Sequence, residues 1–410
     1  MLTNTSYPKD KINILLLEGI HNAAVSLFKS HGYKNIDVAT SAYDEQQLLS
    51  CIDKYHLIGI RSKTKLTKAV IDKANKLLGI GCYCIGTNQV DMTQAMLQGM
   101  AVFNSPYSNT RSVAELVIGE CIMLMRKIFE KNAAAHQGGW DKSSAGCFEV
   151  RGKTLGIIGY GHIGSQVSVL AEAIGMKVIF YDILPKMALG NAYAVKNLDE
   201  LLAKSDMVTL HVPQNNGTKN LINDERIKKM KKGAVLINCA RGNVVEIEAV
   251  KKALQKQKLA GYAADVFPEE PQSNSDTFKL SLQGMHNVIL TPHIGGSTVE
   301  AQENIGIDVA TKMLAFLEGG SSVGSLTVPE LSLPIQNNTH RLLHIHQNVP
   351  GVLSEVNSFL SQHNVNILGQ YLKTNERIGY VVLDIDKKTS GKALEALRHV
   401  KATIKVRSLY

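Results

Sequence analysis

The chain has 410 residues, 44% hydrophobic and 20% charged, the balance of a folded protein with room for two to four domains rather than of a disordered, fibrous or disulfide-stapled one. No apolar run approaches the ~18 residues of a membrane span, and the start "MLTNTSYPKDK" is polar and charged, so signal-peptide and transmembrane classes are excluded and a cytoplasmic protein is expected. The net charge of +9 fits small anionic substrates and cofactors; its densest run, "RIKKMKKG", mixes lysines with Ile and Met at helical spacing and lacks aromatic interleaving, so it reads as a solvated helix face rather than a nucleic-acid surface. The six cysteines include one C-x-C and no C-x-x-C pair, which predicts buried thiols and no metal site.

In chain order, residues 11–108 alternate β-rich runs ("INILLLEG", "LIGIRS", "LLGIGCYC", "MAVFNSP") with helical patterns such as "DEQQLLSCIDK" and "VDMTQAMLQG", the signature of a parallel α/β unit. One long helix is predicted over about 112–137. Through "GGWDKSSAG" it leads to six further strands with intervening helices: "KTLGIIG", "MKVIFYD", "MVTLHVP", "GAVLINCA", "AGYAADVF" and "NVILTPH". That series predicts a doubly wound nucleotide-binding domain. A helix pattern over "STVEAQENIGIDVATKMLAFLEGG" and a connector, "SSVGSLTVPELSLP", precede a last block. There strands at 340–346, 366–373, 378–386 and 402–409 and helices at 351–361 and 390–400 follow the order β-α-β-β-α-β, a ferredoxin-like arrangement.

"LGIIGYGHIGSQV" sets Gly159, Gly161 and Gly164 in G-x-G-x-x-G form, with His162 and Ile163 between them, directly after a strand and opening a helix. Such a turn lets the backbone approach a pyrophosphate lying on the helix N-terminus. Asp182 ends the next strand, where an acid accepts hydrogen bonds from the adenosine ribose hydroxyls and repels a 2′-phosphate; the pair predicts NAD in a Rossmann-type domain. Ligands of an open α/β sheet bind outside the carboxyl ends of its strands. Arg241, Glu270 and His293 all follow strands at that edge. Taken singly each has a plainer reading: the acid in "PEEP" as a surface turn, the Arg before Gly as a helix-start contact, the His after Pro as a cap. Together they suit oxidation of a 2-hydroxy acid, which needs a base at the hydroxyl, an acid to orient it, and a guanidinium for the carboxylate.

These motifs also carry a resemblance. "IIGYGHIG", "INCARGNVV", "DVFPEEP" and "TPHIGGSTVEAQ" resemble the signatures of D-isomer-specific 2-hydroxyacid dehydrogenases. With "IGCYCIGTNQVD", "NSPYSNTRSVAEL" and an ACT-like end, nearly the whole chain is similar to the short, serine-inhibited bacterial members that act on 3-phosphoglycerate. The resemblance implies that Arg241, Glu270 and His293 are the catalytic set and that His211, Val212, Pro213, Cys239, Ala240, Asp265, Gly295 and Gly296 line the NAD site. It also implies a discontinuous, flavodoxin-like substrate domain (1–108 and 296–333), an NAD domain (109–295) and a regulatory ACT domain (335–410), with the site in the interdomain cleft. Substrate phosphate is expected near Arg61, Ser62 and the turn N–H groups of "RSKTK", and near Asn109; without the resemblance a solvated basic turn is an equal reading. A serine effector is expected at a subunit interface through His346, Asn348 and Asn366, in a homotetramer without nucleic-acid or membrane partners. Two departures bear on its strength: Val349 replaces the arginine of N-R-P-G, and Gln336-Asn337-Asn338 replaces a glycine hinge. His344 and His346 alternate on one strand face without a third metal ligand. Another D-2-hydroxyacid dehydrogenase (glycerate, lactate or 2-hydroxyglutarate) and a non-enzymatic NAD-sensing corepressor on the same fold remain the alternatives.

Overall fold

A computed structural model describes residues 7–271, 276–334 and 339–409. They pack as two compact units, 1–108 with 302–410, and 109–301. The first begins with a five-stranded parallel sheet: β1 (Asn13–Leu16), β2 (Asn35–Val38), β3 (Leu57–Ile60), β4 (Gly79–Cys82) and β5 (Ala101–Asn104), in the order β2-β1-β3-β4-β5. This is the flavodoxin-like winding. Helices α1 (Asn22–Ser30), α2 (Glu45–Cys51), α3 (Lys68–Lys73) and α4 (Met92–Leu97) connect the strands; a capping box of Asp44 with Gln47 starts α2. The sequence reading had missed β2. "NIDV" is an edge strand with no buried residue, so it shows none of the apolar alternation by which strands are recognised.

In the second unit the expected single helix is two: α5 (Thr110–Arg126) and α6 (Ile128–His136), broken at Lys127, whose φ of 52° is left-handed. Neither Gly nor Pro marks the break. No residue of α6 is buried, and Trp140 beyond it is 85% exposed. The sheet that follows is wholly parallel and has seven strands: β6 (Thr154–Ile158), β7 (Lys177–Tyr181), β8 (Tyr193–Ala194), β9 (Met207–Leu210), β10 (Ala234–Asn238), β11 (Leu259–Ala264) and β12 (Val288–Leu290). The order β12-β11-β10-β9-β6-β7-β8 reverses between β6 and β9, the switch point where a dinucleotide belongs. The extra strand, β8, is a two-residue exposed edge. Four helices join the strands, α7 (His162–Ala173), α8 (Leu198–Lys204), α9 (Asp224–Lys229) and α10 (Ile247–Gln255), and α11 (Val299–Gly319) follows. The basic run at 226–233 falls on α9 and its end, with only Ile227 of that helix buried.

The first unit resumes with the last block, β13 (His340–Gln347), α12 (Val352–Gln362), β14 (Ile367–Thr374), β15 (Ile378–Ile385), α13 (Ser390–Arg398) and β16 (Thr403–Leu409), an antiparallel sheet of order β14-β15-β13-β16. Leu342, Val381 and Leu383 face α12 and α13. The other face, through Leu343, Ile345, Tyr380 and Val382, joins the core of Phe28, Phe103 and Phe316. Polar contacts reinforce the join: Arg407 donates to the carbonyls of Phe316 (2.5 Å) and Leu317 (3.3 Å) in the last turn of α11, where a cation meets the negative helix end. Arg341 forks onto buried Asp384 at 2.7 and 2.9 Å. The Gln336-Asn337-Asn338 hinge lies outside the described residues. No helix among those described is long and apolar enough to cross a membrane.

Candidate active site

The carboxyl ends of the seven parallel strands bring the sequence-predicted residues of the second unit to one edge. Gly159 follows β6 with φ +92°; a Cβ there would stand 2.6 Å from the His211 carbonyl and 3.0 Å from Val212, so this turn and the 211–213 segment after β9 touch only because the residue is glycine. Gly161 caps α7 without a side-chain hydrogen bond, and nothing lies within 4 Å of where its Cβ would be. This leaves room for an anion to approach the start of α7, where the positive end of the helix dipole favours it. Asp182, after β7, is fixed by Tyr160 N–H on one oxygen (2.8 Å) and Leu184 N–H on the other (2.9 Å); each oxygen keeps a lone pair for a ribose hydroxyl. His211 shares a 3.0 Å hydrogen bond with Thr209 through Nε2, burial holds its imidazole well below the usual range, and Pro213 is exposed beyond it. This open cradle with a held acid fits NAD.

Around it the reactive groups assemble. His293 follows β12 in a left-handed conformation, φ 55°, a strain that persists where the surroundings over-determine it. Its Nδ1 meets Glu270 Oε2 at 2.8 Å. Glu270 Oε1 accepts from Phe267 N–H at 3.0 Å. The hydrogen bond to Glu270, opposed by burial, raises the His293 pKa above the ordinary imidazole value. Burial pushes the Glu270 carboxyl up, but the bonds from His293 and Phe267 outweigh it and leave it below the usual range. Arg241 donates Nη1 to the Ala240 carbonyl at 2.6 Å, and its charge acts on both partners, lowering each. Asp265 holds the loop that carries the histidine: Oδ1 accepts from Thr291 Oγ1 and Ile294 N–H, and Oδ2 from Gly295 N–H, all at 2.7 Å. Cys239 and Ala240 follow β10 directly, the thiol donating to Glu120 at 3.3 Å.

Asn109 also belongs to this edge. It is buried, and a Cβ on Gly296 would lie 2.6 Å from its Nδ2, so its amide packs against the end of the His293 loop. Arg61 and Ser62 lie in the other unit, on the turn after β3. Here one expectation is corrected: the N–H groups of Arg61, Lys63 and Thr64, offered to a phosphate, all donate to the carboxylate of Glu18. In the C-terminal sheet His346 bonds Gln347 O at 2.8 Å and Asn348 bonds Asn375 O at 2.7 Å. Asn366 precedes β14, beside Asp386, at the opposite end of the sheet. Gln347 pairs with Ile378, and Ile367 with Ile385, so roughly 25 Å of strand at ~3.3 Å per residue separates Asn366 from the other two. His344 and His346 are buried with ring centres 5.3 Å apart. Among the described residues no group of three or more His, Cys, Asp or Glu side chains could hold a metal ion.

Sequence reasoning missed Glu18, Glu120 and Gly242. Gly242 packs so closely on the 267–268 backbone that a Cβ would collide with the Phe267 carbonyl; it seats the segment bearing Glu270 beside the one bearing Arg241. Its signal was visible, a glycine immediately after the arginine. The two glutamates left none, because their partners are 43 and 119 positions away.

A dinucleotide cradle whose edge gathers a guanidinium, a carboxylate and an imidazole defines a nicotinamide-dependent dehydrogenase of hydroxy acids. The sequence profile described as "D-isomer specific 2-hydroxyacid dehydrogenase, NAD binding domain" matches residues 118–295, and that of an "AHAS small subunit-like ACT domain" matches 342–405. Over the full length of both chains, the protein is 51% identical to the D-3-phosphoglycerate dehydrogenase of Haemophilus influenzae and 52% to that of Escherichia coli K12. Among solved structures, a D-lactate dehydrogenase from Aquifex aeolicus complexed with NAD and lactic acid superposes with a TM-score of 0.65 at 28% identity, covering 78% of this chain and all of that one. A Thermus thermophilus protein, TT0316, gives 0.68 at 29%, covering 77% of this chain and all of its own. The chain belongs to the D-3-phosphoglycerate dehydrogenase family of D-isomer-specific 2-hydroxyacid dehydrogenases.

Proposed function

We propose that the protein oxidises 3-phospho-D-glycerate to 3-phosphohydroxypyruvate with NAD, opening the phosphorylated route to L-serine, and that L-serine inhibits it. The observation that carries this reading is the 2.8 Å pairing of His293 Nδ1 with Glu270, which leaves Nε2 for the substrate. NAD, when bound, supplies a nicotinamide that accepts hydride from C2. His293 takes the C2 hydroxyl proton; Glu270 orients the ring and stabilises the imidazolium so formed. Arg241 binds the substrate carboxylate and polarises the C2 oxygen. Arg61, Ser62 and Asn109 complete recognition, the first two by side chains toward the phosphate.

The division into substrate domain (1–108 and 296–333), NAD domain (109–295) and regulatory domain (335–410) belongs to the same proposal, as do the cytoplasm and a homotetramer. The placement of Asn366 far along the sheet from His346 and Asn348 supports a serine site shared between two copies rather than one contained in a single chain.

The test follows NADH consumption with 3-phosphohydroxypyruvate and with hydroxypyruvate, each with and without L-serine. The phosphorylated substrate should be strongly preferred and its turnover inhibited by serine. Equal turnover of hydroxypyruvate would point to another hydroxyacid dehydrogenase, and no turnover of either to an NAD sensor. His293→Gln should abolish turnover while NADH titration still reports binding.

A further inference from the structure

Glu18 sits where the chain leaves β1. It is only 8% exposed and holds a left-handed φ of 63°, and its carboxylate turns inward onto the loop after β3. Oε1 accepts from Arg61 N–H at 3.1 Å and Thr64 N–H at 2.8 Å, and Oε2 from Lys63 N–H at 3.0 Å. The same turn is held from its other side by Gln89, whose Nε2 donates to the Arg61 carbonyl at 2.6 Å. Successive backbone N–H groups converging on one point form an anion-binding nest. Here a side chain of the protein fills it, with hydrogen bonds strengthened by the carboxylate's charge.

A nest already holding an anion is closed to a second one. We propose that Glu18 is a positioning residue for substrate selection: it occupies the nest of the 61–64 turn as an internal anion. It thereby fixes the main chain from which Arg61 and Ser62 project and leaves the substrate's phosphate to their side chains. The proposal rests on the reading that the phosphate is bound at this turn. It adds that the turn's shape is set from another strand by one buried charge. Removing the charge relaxes the turn and displaces Arg61, and a misplaced guanidinium loses its geometric match to a phosphate.

The readout is the ratio of kcat/KM for 3-phosphohydroxypyruvate to that for hydroxypyruvate, measured on the full-length enzyme. Glu18→Gln keeps the volume and removes the charge. It should lower the ratio about tenfold, with the loss in KM for the phosphorylated substrate. Glu18→Ala should lower it further, and formate, small enough to re-enter the emptied nest, should restore part of the loss. Equal losses on both substrates, a loss confined to kcat, or an unchanged ratio in Glu18→Gln would overturn the proposal, and that variant decides if Glu18→Ala does not fold. Arg61→Ala separates the two levels of inference. If it lowers the ratio while Glu18→Gln does not, only the role of Glu18 falls. If it leaves the ratio unchanged, the phosphate assignment fails and takes the role of Glu18 with it.

Discussion

The pairing of His293 with Glu270 sets an acid–base group whose protonated form survives above the ordinary imidazole range. Under the proposed mechanism that form is the reactive one in the reducing direction, since it protonates the keto oxygen, so activity should fall as pH rises through the His293 pKa. Glu270→Gln removes the anion but keeps the volume, and the alkaline limb of the reduction profile should move to lower pH; an unmoved limb would assign Glu270 another task. A second acid behaves in the opposite way. Glu120 on α5 is 1% exposed, with one oxygen unpaired and the other on the Cys239 thiol. It faces Asp265, Cys121 and Tyr262, the first of which repels a second negative charge. Burial, helped by Asp265, pushes its carboxyl up to about 8. The folded protein therefore holds a proton that the unfolded chain releases near pH 4.5, and this residue's contribution to stability declines as pH rises between those values. Thermal midpoints measured from about pH 5 to 8 should fall less steeply in Glu120→Gln than in the wild type. Parallel curves would mean that Glu120 is ionised in the fold.

Among the elements, the C-terminal sheet depends on the buried fork between β13 and β15. The Arg341 guanidinium has Asp384, the Gly319 carbonyl and the Pro334 carbonyl as partners. Asp384→Asn leaves a buried cation without its counter-charge and should cost about 3–5 kcal/mol in denaturant unfolding, with the loss confined to this sheet and what it packs on. A loss below about 1 kcal/mol would mean that water already reaches the pair. The same scale explains what could be read from the sequence. Strands buried on both faces, such as β3, β4 and β10, appear as unbroken apolar runs, and the glycine turn follows another mostly buried strand, β6, so the NAD edge was legible in the sequence. The edge strands β2 and β8 were not, because exposed strands have no apolar pattern. The break at Lys127 was invisible because an ordinary residue adopts the left-handed turn. Glu18 was read only as the end of a strand, since which carboxylate fills a nest depends on long-range folding and leaves no local trace.

At the scale of the whole molecule, the proposed regulation depends on where the predicted effector residues lie. His346 and Asn348 stand at one end of the sheet and Asn366 at the other, and the proposed serine site, shared between two copies, makes a specific prediction. Assemblies refolded from a mixture of His346→Ala and Asn366→Ala chains should regain serine inhibition, although neither variant alone responds: a mixed pair carries one complete site and one doubly damaged site. Inhibition absent from the mixture would place the effector elsewhere. The solitary Trp140, 85% exposed past a helix with no buried face, makes intrinsic fluorescence a local gauge. In an isolated chain its emission should already be that of an indole in water and should change little as the sheets melt. A blue shift on raising protein concentration would report another surface closing over that one ring, independently of the dehydrogenase chemistry.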